Sequence, residues 1–361
     1  MRIGIPREIK NNEFRVSLTA EGVAELTRNG HDVLVECDAG VGSGISDDAY
    51  RAAGAQLCAS AAEVWGGAEL ILKVKEPQPV EYSHFRPDLV LFTFLHLAAD
   101  RELTEALIAS RVTSFAYETV QLDNGRLPLL APMSEVAGRL SVLAAAQSLF
   151  APAGGPGLLI SGVTGTSAAN VVILGGGVAG SNAAHIAHGV DAKVTVLDTN
   201  EQRLAELAAS YPERMRTVIS TPENIAKACR EADVVIGSVL VPGAKAPKLV
   251  TNDLVAQMKP GSVLVDIAID QGGCFEDSHP TTHAEPTFRV HNSIFYCVAN
   301  IPGAVPQTST YALTHVTLPY VQRIAEAGWR AAAAEDSALA RGLTTAEGEL
   351  LNASVAEAHG L

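Results

Sequence analysis

Four polar side chains close or follow apolar runs in this sequence, and together they could do chemistry. "LILKVK" ends at Lys75, "LVLFTFLH" at His96 and "SVLVDIAID" at Asp270, while Arg15 lies in "REIKNNEFRVS", the loop after the first apolar run. Two cations suit an anionic group. An imidazole that titrates near neutrality suits proton transfer. In open parallel sheets ligands sit beyond the carboxyl ends of the strands, so the placement predicts that all four converge on one cleft between two domains. Singly, each has a duller role: Arg15 and Lys75 as solvated charges, His96 as a core histidine, Asp270 as a cap on the turn "DQGG". Their joint placement favours chemistry.

The stretch "VVILGGGVAG" carries a second signal. Its G-x-G-x-x-G pattern is Gly175, Gly177 and Gly180, after a predicted strand and before the predicted helix "GSNAAHIAHG". The first glycine permits a tight turn, the second a close approach of backbone to a pyrophosphate, and the third close packing of helix on strand. The helix N-terminus then offers N–H groups to phosphates. Asp198, ending "KVTVLD", has the spacing of an acid that binds ribose hydroxyls and repels a 2′-phosphate. NAD is therefore expected rather than NADP.

The elements that must position these residues alternate strand and helix, which implies parallel sheets covered by helices. The N-terminal third reads as one doubly wound set. A long helix, "SEVAGRLSVLAAAQSLF" with Ser134 as its N-cap, leads into a second set, and the tail is read as helical. The uncharged stretch from Leu140 to Val190 reads as deeply buried helix, turn and strand, too interrupted by glycine to span a membrane. The expected fold class is α/β, with two doubly wound Rossmann-like domains. An NAD-binding domain at 129–307 is inserted into a discontinuous substrate domain at 1–128 and 308–361.

Bulk properties agree. The 361 residues suffice for two cores, and 47% hydrophobic with 18% charged residues is a globular composition. A net charge of −14 argues against a nucleic-acid partner. The five dispersed cysteines suggest reduced thiols and a cytoplasmic protein, and no apolar signal core or membrane span is expected. His185 with His188, and the loop holding His279, His283 and His291, lack the spacing of a defined metal site, so no metal is expected.

Longer motifs carry a resemblance. "IGIPREIKNNEFRVSLT", "ILKVKEP", "LFTFLHLA", "APMSEVAGRLS", "NVVILGGGVAG", "VLVPGAKAPKLV", "SVLVDIAIDQGG" and "CVANIPGAVPQTSTYALT" cover nearly the whole chain. They resemble the alanine dehydrogenase family, which also includes the NAD-binding subunit of proton-translocating transhydrogenase. The resemblance implies reversible NAD-dependent oxidative deamination of L-alanine to pyruvate and ammonia, and a homo-oligomer, commonly a hexamer. It implies that Arg15 and Lys75 bind the substrate and that His96 and Asp270 form the acid/base pair. It further implies a cofactor site of Ser134, Gly175, Gly177, Val178, Ala179, Gly180, Asp198, Arg203, Ser220, Val239, Leu240, Ile267, Val298 and Asn300. Arg203 stands where the family often has lysine, a change that keeps charge but not geometry. Rival readings are a transhydrogenase-type NAD(H)-binding subunit, a dehydrogenase of a larger amino acid, and an inactive NAD sensor. His96 and Asp270 in their motifs favour the enzyme.

Overall fold

The computed structural model describes residues 1–211, 215–239 and 246–361. In chain order the strands are β1 Arg2–Ile5, β2 Asp32–Glu36, β3 Gln56–Cys58, β4 Leu70–Leu72, β5 Val90–Thr93 and β6 Thr113–Ala116. Next come β7 Asn170–Leu174, β8 Lys193–Asp198, β9 Met215–Ile219, β10 Val234–Gly237, β11 Val263–Asp266, β12 Thr287–Val290 and β13 Ser293–Tyr296. The last two are β14 Leu343–Ala346 and β15 Glu349–Leu350. Backbone packing divides the chain into two compact units, Met1–Met133 with Gly303–Leu361, and Ser134–Pro302.

In the first unit the strand order is β15-β14-β6-β5-β4-β1-β2-β3. The pairs from β3 to β6 are parallel, and β14 closes onto β6 antiparallel. The order reverses between β1 and β4, so the crevice where a doubly wound sheet takes its ligand lies beyond those two strands. The second unit runs β12-β13-β11-β10-β7-β8-β9, parallel except for the antiparallel edge strand β12, and reverses between β7 and β10. Both sheets are aliphatic on both faces because helices cover both. Val171, Val172, Ile173 and Leu174 of β7 are no more than 3% exposed. Each such side chain contributes roughly 1.5–3 kcal/mol, against about 1 kcal/mol for a helix cap, so face burial outranks end signals.

Four sequence readings need correction. The helix expected to begin at an N-cap Ser134 runs from Ala131 to Ser148, which puts Ser134 inside its first turns. Pro132 is the reason: it brings a helical φ and needs no amide partner there, so the helix starts earlier. The tail is not purely helical, since β14 and β15 form a hairpin on the sheet edge. The uncharged stretch is not buried throughout. Phe150, Leu159 and Val163 are exposed, as are most residues between 151 and 168. That segment is connecting chain whose backbone needs water, and lack of charge alone does not bury it. Finally, Lys75, His96 and Asp270 do not end strands. β4 stops at Leu72 and β5 at Thr93, so Lys75 and His96 lie three positions further on, and β11 stops at Asp266, four positions before Asp270, so all three lie in the connections.

Candidate active site

Arg15 belongs to the loop after β1 and is buried, 2% exposed. Its guanidinium is held in a fork by Glu13, with Nε to Oε1 at 2.7 Å and Nη2 to Oε2 at 2.6 Å. Nη1 lies 3.1 Å from Met133 Sδ. Bidentate pairing fixes the plane of the guanidinium as well as its charge. A surface cation would need no such cradle, so Arg15 is not a solvated charge.

Lys75 is also buried, 5% exposed, and its loop is set by an ion cluster that the sequence reading missed. The Lys73 ammonium sits between Glu8 at 3.0 Å and Glu81 at 3.1 Å with no exposure of its side chain. Burial alone would push Lys73 down, but the two carboxylates outweigh it and hold the ammonium above the usual lysine range. Burial pushes the Glu8 carboxyl up. The other Glu8 oxygen accepts the N–H of Val74 at 2.5 Å and of Lys75 at 3.4 Å. Glu8 thus ties the loop after β1 to the loop after β4 at the crevice, and fixes the backbone of Lys75. Glu76 is beside it. Burial would raise its carboxyl, yet Lys75, Lys10 and His96 draw it below the usual range. Its Oε1 accepts from Lys10, while its buried Oε2 has no hydrogen-bond partner.

His96 follows β5 with φ 51°, a left-handed conformation that costs a non-glycine residue about 1–3 kcal/mol. Glu118 supports it. One carboxylate oxygen accepts the His96 N–H at 2.6 Å, and both accept the Leu95 N–H, at 3.2 and 3.3 Å. Hydrogen bonds to a charged acceptor contribute about 1.5–3 kcal/mol each, enough to sustain the strain. The imidazole stacks on Phe94 at 5.9 Å with the rings 4° from parallel. It is half-buried. Arg15, Lys75 and His96 therefore occupy loops beyond β1, β4 and β5, which are adjacent in one sheet.

Asp270 belongs to the second unit, exposed on a short turn, Ile267–Gln271, after β11. Beneath the turn Asp266 is fully buried and collects donors. Oδ1 accepts the Ala268 N–H at 3.0 Å, and Oδ2 accepts the Cys274 N–H at 2.9 Å and the Ser278 hydroxyl at 2.6 Å. Burial raises its carboxyl despite these bonds. Asp266 is another residue the sequence reading missed, though an acid ending an apolar strand was a visible signal.

The glycine loop follows β7 at the reversal of the second sheet. Gly175 has φ 100°, and a Cβ on Gly180 would lie 1.8 Å from the Gly175 carbonyl oxygen. Those two glycines are demanded by the fold. Gly177, the N-cap of the helix Val178–Gly189, is different: its φ of −64° suits any residue, and a Cβ there would meet nothing within 4 Å. The open space is what a pyrophosphate close to the backbone requires, so the loop fits NAD. Asp198 ends β8, with Oδ2 accepting the Gly176 N–H at 2.6 Å and Oδ1 the Asn200 N–H at 2.8 Å. Arg203 donates from Nε to the Gly176 carbonyl at 2.6 Å, so its ordered role is to clamp the loop. Ser238, unpredicted, bonds the carbonyls of Leu174 and Gly175, both at 2.9 Å, and ties β10 to the loop.

The remaining predicted cofactor residues gather on this sheet's carboxyl edge. Ser220 follows β9, Val239 follows β10 and Ile267 follows β11, while Val298 and Asn300 follow β13. Val178 and Ala179 open the glycine-loop helix, and Gly138 of the helix that also holds Ser134 packs so tightly there that a Cβ would lie 2.1 Å from the Ala179 oxygen. Val298 is fully buried and packs with Ala137 and Ile301. Asn300 has φ 66°. Leu240 lies outside the described residues.

Family comparison extends over nearly all of the chain. Residues 4–137 match the alanine dehydrogenase/PNT N-terminal domain, and residues 141–353 match the alanine dehydrogenase/PNT C-terminal domain. An alanine dehydrogenase of Mycolicibacterium smegmatis is 59% identical over 99% of this chain and 96% of its own. A solved L-alanine dehydrogenase superposes with a TM-score of 0.95 at 49% identity, covering 100% of this chain and 99% of that one. A transhydrogenase from Sinorhizobium meliloti reaches 0.82 at 26% identity, over 98% of this chain and 100% of that one. The chain belongs to the alanine dehydrogenase/PNT family.

Proposed function

We propose that this protein is an NAD-dependent amino-acid dehydrogenase that interconverts L-alanine and pyruvate with ammonia. The observation that carries this reading is the set of Arg15, Lys75 and His96 on adjacent strand-end loops of a chain related end to end to alanine dehydrogenases. The transhydrogenase reading is weaker, because the likeness there falls to 26% identity.

The substrate carboxylate binds the cationic pair, with Arg15 pre-aligned by Glu13 so that little order is lost on binding. The Gly175–Gly180 loop would hold NAD with Asp198 toward its ribose, and the bound cofactor would supply the hydride acceptor for the substrate carbon. The chain's own groups manage protons and water. Lys75 stabilises the negative charge that develops on oxygen as water adds to the imine. An imidazole nitrogen of His96 takes a proton in that direction and returns it in the reverse. Asp270 holds the ammonium group and orients the attacking water. Water and the oxidised cofactor are consumed, and pyruvate, ammonium, reduced cofactor and one proton are released.

Homo-oligomerisation, as a hexamer, and a cytoplasmic location belong to the same proposal. The five free thiols fit a reducing compartment, and no helix among the described residues is long and apolar enough to cross a membrane. The decisive test follows nicotinamide absorbance with NAD and a panel of amino acids, then with NADH, ammonia and a panel of 2-oxo acids. L-Alanine and pyruvate should lead their panels. A larger amino acid turning over faster, or no amino-acid oxidation at all, overturns the reading.

A further inference from the structure

The turn that follows His96, Leu97–Ala99, is covered by the last helix of the chain, Ala353–His359. His359 Nε2 lies 2.7 Å from the Leu97 carbonyl oxygen. A carbonyl can only accept, so Nε2 carries the hydrogen. The same oxygen accepts from the Asp100 N–H at 3.0 Å and the Thr104 hydroxyl at 3.2 Å, and the histidine bond is the shortest of the three. Arg101 returns the contact by donating to the His359 carbonyl at 3.1 Å. Val355 is buried in the apolar cluster that contains Leu97, Leu103 and Leu107. The helix is therefore docked by apolar packing and registered by hydrogen bonds.

We propose that His359 is a positioning residue for the reaction, and that the C-terminal helix fixes the aim of the His96 side chain. The proposal rests on the acid/base role assigned to His96. Its physical basis is the left-handed backbone of His96. A non-glycine residue there relaxes into the extended region unless both sides are restrained, and such a relaxation swings the side chain by far more than a reacting geometry tolerates. Glu118 restrains the amide side of His96. On the carboxyl side the His96 carbonyl accepts the Ala99 N–H at 3.0 Å, and the peptide one residue further is restrained at the Leu97 oxygen, where His359 supplies the shortest bond.

The test compares His359→Ala and His359→Gln in the full-length enzyme with NAD and L-alanine. A Gln amide can still donate to the Leu97 oxygen, whereas Ala cannot. His359→Ala should lower kcat about tenfold, with KM for NAD and NADH affinity unchanged, and His359→Gln should recover most of the loss. A wild-type kcat in His359→Ala overturns the proposal, and so does a Gln variant no better than Ala. Should Ala unfold the helix, His359→Leu keeps the bulk and removes the donor, and the Gln–Leu comparison decides in the same way. Absence of alanine-dependent NAD reduction by the wild type would overturn the functional reading itself, which separates the two failures.

Discussion

The two glycines at 177 and 180 sit three residues apart, yet the structure assigns them different reasons, and a paired substitution separates those reasons. At Gly177 an alanine Cβ meets no atom within 4 Å, and the backbone conformation suits any residue. Folding stability of Gly177→Ala should therefore stay within about 0.5 kcal/mol of wild type. At Gly180 the added Cβ would lie 1.8 Å from the Gly175 carbonyl oxygen and 2.7 Å from Ser238 Oγ. The first contact is with backbone, so the helix must move away from the strand. Overpacking of that kind costs about 1–3 kcal/mol or more, which is several degrees of melting temperature for a unit of this size. Cofactor binding should divide the other way. A methyl at 177 fills the space reserved for the pyrophosphate and removes about one charge-assisted hydrogen bond, 1.5–3 kcal/mol, or roughly tenfold to a hundredfold in the NADH Kd. The assay is a thermal melt without cofactor beside a fluorescence titration with NADH. If Gly177→Ala bound NADH as tightly as wild type, or melted as low as Gly180→Ala, the assignment of that space to the cofactor would fail.

Other expectations follow from the same sites. With Asp198 as the acid proposed for the ribose, kcat/KM should favour NAD over NADP by at least about a hundredfold, and Asp198→Asn should narrow the gap; comparable values in the wild type would remove that role. His96→Ala should abolish turnover while NADH binding persists, and loss of binding by the folded variant would make His96 a cofactor or structural residue instead. Glu76 bears on acid stability. Its folded pKa lies below its unfolded value, so its charge stabilises the fold above the ordinary glutamate range, and the contribution disappears as pH falls through the folded pKa. Urea unfolding should therefore show Glu76→Gln weaker than wild type at neutral pH and equal to it in strong acid; a difference that grew on acidification would reverse the sign and refute the argument.

What could be read from the sequence was local. The glycine loop is legible because each glycine answers a requirement of its own backbone, and the strands are legible because both sheet faces demand aliphatic side chains. The ion cluster around Lys73 is not. Glu8 and Lys73 are 65 positions apart, and in "LILKVK" strand alternation would put the two lysines on one face without saying that both are buried or that Lys73 meets two carboxylates. Glu13 and Glu118 look like surface acids until the fold lays them under Arg15 and His96. The β14–β15 hairpin did leave a trace: Glu347 and Gly348 both have positive φ, and an acid–glycine pair between short apolar runs is a two-residue turn signal. Ser134 failed as a cap because Pro132, two residues earlier, was the stronger start.

The buried carboxylate of Asp266 makes the turn above it separable from its foundation. The donors that hold it come from Ala268 at one end of the segment and from Cys274 and Ser278 at the other, so the ends are pinned, while between them Ile269 is buried in the core and Asp270 is exposed. Gly273 belongs to the pinned part, since its φ is 74° and a Cβ would lie 2.6 Å from Asp266 Oδ2. Gly272 lies in open space, although its φ of 88° keeps glycine the easiest residue there. Asp270 carries neither restriction and is exposed, whereas Gln271 is half-buried with its Oε1 out of contact with solvent. For enzyme redesign, position 270 is where the chemistry proposed for this turn can be altered by one side chain without refolding the sheet beneath it, provided that Asp266, Ile269, Gly273 and Ser278 are left untouched.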